Sequence, residues 1–268
     1  MPSQKSAAFP SATQAVLLFV ALFLVELVVG AALSDANGWL DLGSMQISVL
    51  AAVLGNGCVF AVLMHSQKLT YRALFHQSQA SAGATLLLVV PPALLLVPAL
   101  LLTITSALNL MMRILPPSAW EEAMFSRMAD GSVAAVLAVC VMAPLLEEML
   151  FRGIVLRGFL QRYPRWQAIF MSALLFGAAH MNIYQFVVGL VMGAVLGWLY
   201  ERTRSLIPCI ALHAAYNTTT LLLADWLDAA SPSRLLWIAL LALAAAAFGT
   251  LVLRAMLAPR TARGGSSA

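Results

Sequence analysis

A chain of 268 residues that is 62% hydrophobic and only 10% charged, with mean hydropathy +0.91, is too apolar for an ordinary globular domain, where about a quarter of residues are charged. It reads as an all-α protein, a polytopic membrane helical bundle. The net charge of +4 does not point to nucleic acid, because the basic residues fall between apolar runs, where they orient a chain in a bilayer, and no basic patch interleaved with aromatics occurs.

Crossing the hydrocarbon takes about 20 mostly apolar residues, which predicts about eight transmembrane helices: 13–33, 44–64, 84–106, 136–161, 166–182, 184–201, 206–223 and 234–257. These are expected to form a single membrane-embedded domain, 13–257, with its motif-bearing core at 136–223, between a cytoplasmic segment 1–12 and a disordered tail 258–268. The first helix follows Lys5 as a secretory signal would. Its run exceeds the typical core of about 7–15 residues, so an uncleaved helix is expected. In the second span, Asn56 lies between Gly55 and Gly57, a pattern for close helix packing or an interhelical hydrogen bond. His65 and His76 follow in the next loop and read as solvated side chains rather than ligands. The third span carries Pro91, Pro92 and Pro98 and should be bent.

Between the third and fourth spans, "PPSAWEEAMFSRMAD" places Glu121 three residues after Ser118, the capping-box spacing that opens a short helix. Trp120, Met124, Phe125 and Met128 recur on one face of that helix. Two placements fit it, along the outer interface or packed on the bundle. Cys58, Cys140 and Cys209 lie in apolar stretches without a C-x-x-C pair and read as small buried hydrophobes.

Orientation follows from the basic residues. With the N-terminus in the cytoplasm, Lys5, Lys68, Arg72, Arg157, Arg162, Arg165, Arg202, Arg204, Arg254, Arg260 and Arg263 fall inside, against Arg113, Arg127 and Arg234 outside. That asymmetry places both ends in the cytoplasm of a cell (inner) membrane.

The fourth helix breaks the apolar rule. "APLLEEMLFRG" sets Glu147 beside Glu148, with Arg152 four residues beyond the second acid. Glu147 is fifteen residues from Arg162, about 22 Å along a helix and so within the bilayer. A charge there costs about 2.5–3.5 kcal/mol on insertion scales and usually faces the bundle interior. Glu148 and Arg152 share a helical face and can neutralise each other, while Glu147, rotated by about 100°, remains available. Pro144 removes a backbone hydrogen bond one turn earlier, which can open a wet pocket beside the acids.

Two later helices match. "FGAAHM" puts Phe176 and His180 at i and i+4, with His180 fifteen residues from Arg165, again about 22 Å deep. "LHAAYN" puts His213 and Asn217 at i and i+4, about 13 and 20 Å in from Arg204. Singly, each polar residue fits interhelical glue; together they predict a common polar chamber. No H-E-x-x-H, G-x-G-D or G-x-S-x-G motif occurs. A zinc site on His180, His213 and Glu147 stays open as an alternative. So do a proton-coupled transporter, although no paired halves with matching broken helices are present, and a non-catalytic immunity or scaffold protein.

The order Glu147, Glu148, Arg152, then Phe176, His180, then His213, Asn217 resembles the CPBP family, which comprises type II CAAX prenyl proteases and bacteriocin-processing or immunity membrane proteins. The resemblance covers residues 147 to 217; the first three helices and the tail carry no signature of it. It implies a glutamic-type intramembrane endopeptidase with no cofactor. By analogy Glu147 is the base that activates water, assisted by His180. His213 and Asn217 meet the oxyanion, Glu148 and Arg152 hold the site's geometry and charge, and Phe176 contributes to substrate binding. The expected partners are the lipid bilayer and a protein or peptide substrate, with or without a lipid anchor. The sequence assigns no nucleic acid and no oligomeric state.

Overall fold

A computed structural model describes residues 9–129, 131–228 and 231–258. Lys5, Arg260 and Arg263, with most of the two expected terminal segments, lie outside the described residues. Among the described residues the chain is helical and has no strand, only an isolated β-bridge between His76 and Ser205.

The principal helices are α1 (Ala12–Asp35) and α2 (Ser44–Ser66), α3 (Ala82–Leu94), α4 (Val97–Ile114), α5 (Ala119–Met128) and α6 (Val133–Phe159). They continue as α7 (Arg165–Ala179), α8 (Ile183–Thr203), α9 (Ile207–Asp228) and α10 (Pro232–Met256). Among the described residues six helices are long and apolar enough to cross a membrane: α1, α2, α4, α6, α8 and α10. α3 and the apolar stretch of α9, Ile207–Leu223, are shorter, and α7 has 15 residues.

The expected third span, 84–106, is two helices rather than one bent helix. Pro91 and Pro92 in α3 and Pro98 in α4 lack backbone donors, and the chain breaks at Leu95 and Leu96 between them. α6 responds to Pro144 differently, widening into π turns over Ala138–Met142 and Met149–Leu156 on either side of the Ala143–Glu148 segment. Such local widening is often found at functional sites.

α6 runs through the middle of the bundle, and every residue from Met149 to Leu156 is buried. α7 and α8 form an antiparallel hairpin along one side of it. Their close approach depends on Gly193, where an added Cβ would stand 2.8 Å from Cα of Ala173. α9 packs on α3, α4, α6 and α8, and α10 packs on α3 and α4. α1 and α2 contact each other far more than they contact the rest. The outward faces of α1 and α10 carry exposed Leu17, Leu24, Val28, Leu241, Leu243 and Leu251, the surface a lipid-facing helix presents.

Most of the described basic residues gather at one end. There the Ala12 backbone N–H donates to the Tyr163 hydroxyl at 3.3 Å, Arg165 pairs with Glu201 at 2.9 Å, and Arg157 donates to the Ala73 carbonyl at 3.2 Å. His76 departs from the expected solvated side chain: its Nδ1 lies 2.9 Å from the Ser205 hydroxyl and its Nε2 2.7 Å from the Ala80 carbonyl. With the Leu206 N–H donating to the Phe75 carbonyl at 2.8 Å, it clasps the loop after α2 to the start of α9. His65 lies not in that loop but in the last turn of α2. Cys140 and Cys209 are buried as expected; Cys58 is exposed on α2, where its apolar neighbours suit lipid as well as a core.

At the opposite end, Ser118 opens α5 with the expected capping box, its hydroxyl accepting from the Glu121 N–H while its own N–H donates to the Glu121 carboxylate at 2.8 Å. Asn182 donates to the same carboxylate at 2.8 Å, the Tyr184 hydroxyl donates to the Leu115 carbonyl at 2.6 Å, and the Phe125 and Tyr184 rings meet edge-on at 6.0 Å. The helix is therefore braced to the α7–α8 turn, while Trp120 stays exposed.

Candidate active site

Glu148 and Arg152 sit one turn apart on α6, and the buried guanidinium donates to the buried carboxylate at 2.9 Å, with the side chains 1% and 0% exposed. A charge pair this deep persists only where further contacts offset desolvation. Here Arg152 Nη2 donates to the Gly193 carbonyl at 3.4 Å, and its guanidinium stacks over the Phe176 ring at 4.4 Å. The same Glu148 oxygen lies 2.9 Å from His213 Nδ1 on α9. That contact fixes the imidazole and leaves Nε2 facing the neighbouring acid.

Glu147 points elsewhere, as the helical rotation predicts. Its side chain is 27% exposed, and one carboxylate oxygen stands 3.8 Å from His213 Nε2, longer than a direct hydrogen bond but short enough for both groups to share a water. Phe176 forms the floor between the two histidines, with ring centroids 5.3 Å from His180 and 5.8 Å from His213. His180 Nδ1 lies 3.0 Å from the Phe176 carbonyl, so its other ring nitrogen is the one left for chemistry. Asn217 donates from Nδ2 to the Val139 carbonyl at 2.8 Å, tying α9 to the first π turn of α6.

A cavity of about 350 Å³ opens beside this cluster, and Glu147 and His180 both line it. Its walls are otherwise largely apolar, with Leu146, Leu150 and Phe151 from α6, and Met128 of α5 at one margin. His213, Asn217, Glu148, Arg152 and Phe176 stand behind the wall rather than in it. Among the described residues no group of three or more His, Cys, Asp or Glu side chains is arranged to hold a metal ion.

The cavity also holds a pair that the motif reading passed over. Glu26 of α1 lines it together with Asn56 of α2, and the Asn56 amide donates to the Glu26 carboxylate at 2.7 Å. Asn56 thus makes the interhelical hydrogen bond expected of it, and a Cβ on Gly55 would come within 2.6 Å of Glu26 Cγ, so the glycine admits the acid's stem. The signal was present in "FLVELVVG", a lone acid inside an apolar run.

Comparison with known proteins locates the same region. Residues 129–219 match the family model described as type II CAAX prenyl endopeptidase Rce1-like. A 24.3 kDa protein of Escherichia coli, described as uncharacterized, is 33% identical over 111 residues, covering 38% of this chain and 51% of that protein. The UPF0177 protein YaiF of Lactococcus lactis is 34% identical over 83 residues, covering 31% of this chain and 37% of YaiF. YdiL of Bacillus subtilis, whose name describes a candidate membrane peptidase, is 26% identical over 83 residues, covering 31% and 34%. The chain therefore spans about half or less of the curated relatives it matches. No solved structure matches it. The segment that carries Glu147, Glu148, Arg152, Phe176, His180, His213 and Asn217 is the one that matches the Rce1-like family model.

Proposed function

We propose that the protein is a glutamic-type intramembrane endopeptidase that hydrolyses a peptide bond of a membrane-associated protein or peptide, near a lipidated C-terminus or at a leader. The observation that carries this reading is the division of labour between adjacent acids: Glu148 is engaged by Arg152 and His213, while Glu147 faces the cavity beside His180. In the proposed step Glu147 takes a proton from water, assisted by His180, and the hydroxide adds to the carbonyl carbon. The C–N bond then breaks, and the departing amine takes the proton from Glu147. Hydrogen-bond donors are needed where the oxyanion forms. His213 and Asn217 are the residues the resemblance assigns to it, and substrate must reach past Glu147 to meet them. The step uses water and side chains, with no cofactor assigned.

Glu147→Gln keeps the shape and removes the base, a group worth about 10²–10⁴ in rate. Cleavage should be lost in Glu147→Gln and in His180→Ala, with yield and melting temperature unchanged. Quantitative proteomics of membranes carrying the wild type or Glu147→Gln should show uncut precursors accumulating with the variant. Retained processing in both variants overturns the assignment.

A further inference from the structure

Across the cavity from the acid doublet's helix, a second polar group is built into the hairpin of α1 and α2. Glu26 sits mid-span on α1, close enough to Glu147 for their charges to interact. Its position is set by two neighbours on α2: Gly55 gives room for its stem, and the buried Asn56 donates to Oε1. Both N–H groups of the Asn56 amide are committed, since it also donates to the Ala52 carbonyl at 2.9 Å. Among the described residues no donor reaches the second carboxylate oxygen of Glu26, and no lysine or arginine lines the cavity.

A substrate in this chamber brings a demand of its own. A peptide stretch must unwind before its bond can be attacked, and each unwound N–H shielded from water needs an acceptor. The chamber walls offer few: Leu22, Val49, Met142 and Leu150 have none in their side chains, and besides the two acids and His180 the side-chain acceptors are the Ser48 hydroxyl oxygen, whose proton goes to the Ser44 carbonyl at 3.0 Å, and the Asn56 amide oxygen. Glu147 is needed for the water. Resting on the endopeptidase reading above, we infer that Glu26, held by Gly55 and Asn56, is a substrate-binding residue whose free carboxylate oxygen accepts a backbone N–H of the unwound substrate opposite Glu147.

Glu26→Gln separates this role from mere helix packing. The amide oxygen can still accept from Asn56, but the free acceptor becomes an N–H₂ donor. The probe is a synthetic peptide spanning the junction left uncut in Glu147→Gln membranes, assayed with the purified full-length protein. A hydrogen bond of ordinary strength corresponds to about two- to tenfold. KM should rise by about that factor in Glu26→Gln, with kcat and melting temperature near wild type. Replacing single non-scissile amides of the peptide by esters should raise KM for the wild type at one position, and add nothing at that position for Glu26→Gln. The ester series on the wild type decides the matter alone if the variant fails to accumulate: no sensitive position overturns the inference. An inactive Glu147→Gln with unchanged KM in Glu26→Gln, or a change confined to kcat, overturns the substrate-binding role and leaves the endopeptidase reading standing. A fully active Glu147→Gln overturns both.

Discussion

Arg152 holds together more of the cluster than any acid in it. It touches Glu148, the Gly193 carbonyl and the Phe176 ring, and so links α6, α8 and α7. Removing it leaves Glu148 buried beside His213 without its cation. Truncating one partner of a buried pair costs about 3–5 kcal/mol, so Arg152→Ala should lose folded protein along with any activity, measured as yield and melting temperature in detergent. Arg152→Lys should recover only part of the loss, because an ammonium lacks the planar face that lies on Phe176. The Glu148–Arg152 pairing could be read from i, i+4 spacing alone, and so could the separate heading of Glu147, because both follow from the rotation of one helix. Glu26 could not be joined to them in the same way: nothing in the sequence tells which helix a lone acid on the first span will face.

Elements show a similar boundary between local and tertiary causes. That the third span departs from a straight helix, though not that it breaks in two, and the capping box of α5 were legible because prolines and a Ser-x-x-Glu pattern act on their own neighbours. The His76 clasp and the tie of α9 to α6 were not, since both depend on partners far along the chain, Ser205 for one and the Val139 carbonyl for the other. α5 carries a pH dependence that follows from its cap. The Ser118 backbone N–H, then its hydroxyl, with a smaller part from Asn182, hold the Glu121 carboxyl below the ordinary carboxylate range. A folded-state value below the unfolded one means that the cap's stabilising effect is present above the unfolded value and is lost as pH falls through the folded one. Acidification through that range should therefore loosen α5 before the bundle. Faster amide exchange over Ala119–Met128 would register it, and Ser118→Ala should shift the onset to higher pH.

For the molecule as a whole, the cavity lies toward the end where α1 finishes and α2 begins, lined there by Met45, Ser48 and Val49, and most of the described basic residues lie toward the other end. If the basic end is cytoplasmic, the chamber belongs to the outer half of the bilayer. A reporter active only in the cytoplasm, fused after α10, should then be active, and one inserted in the α5 loop inactive; the reverse pattern would invert the orientation. The first wall of the chamber is carried by a hairpin that holds chiefly to itself, with few attachments to α6 and α7. On the proposed peptidase reading, parting that seam would uncover Glu26 and Glu147 together and face them sideways into the hydrocarbon, giving a polypeptide already dissolved in lipid a route to the water beside Glu147 that never leaves the plane of the bilayer.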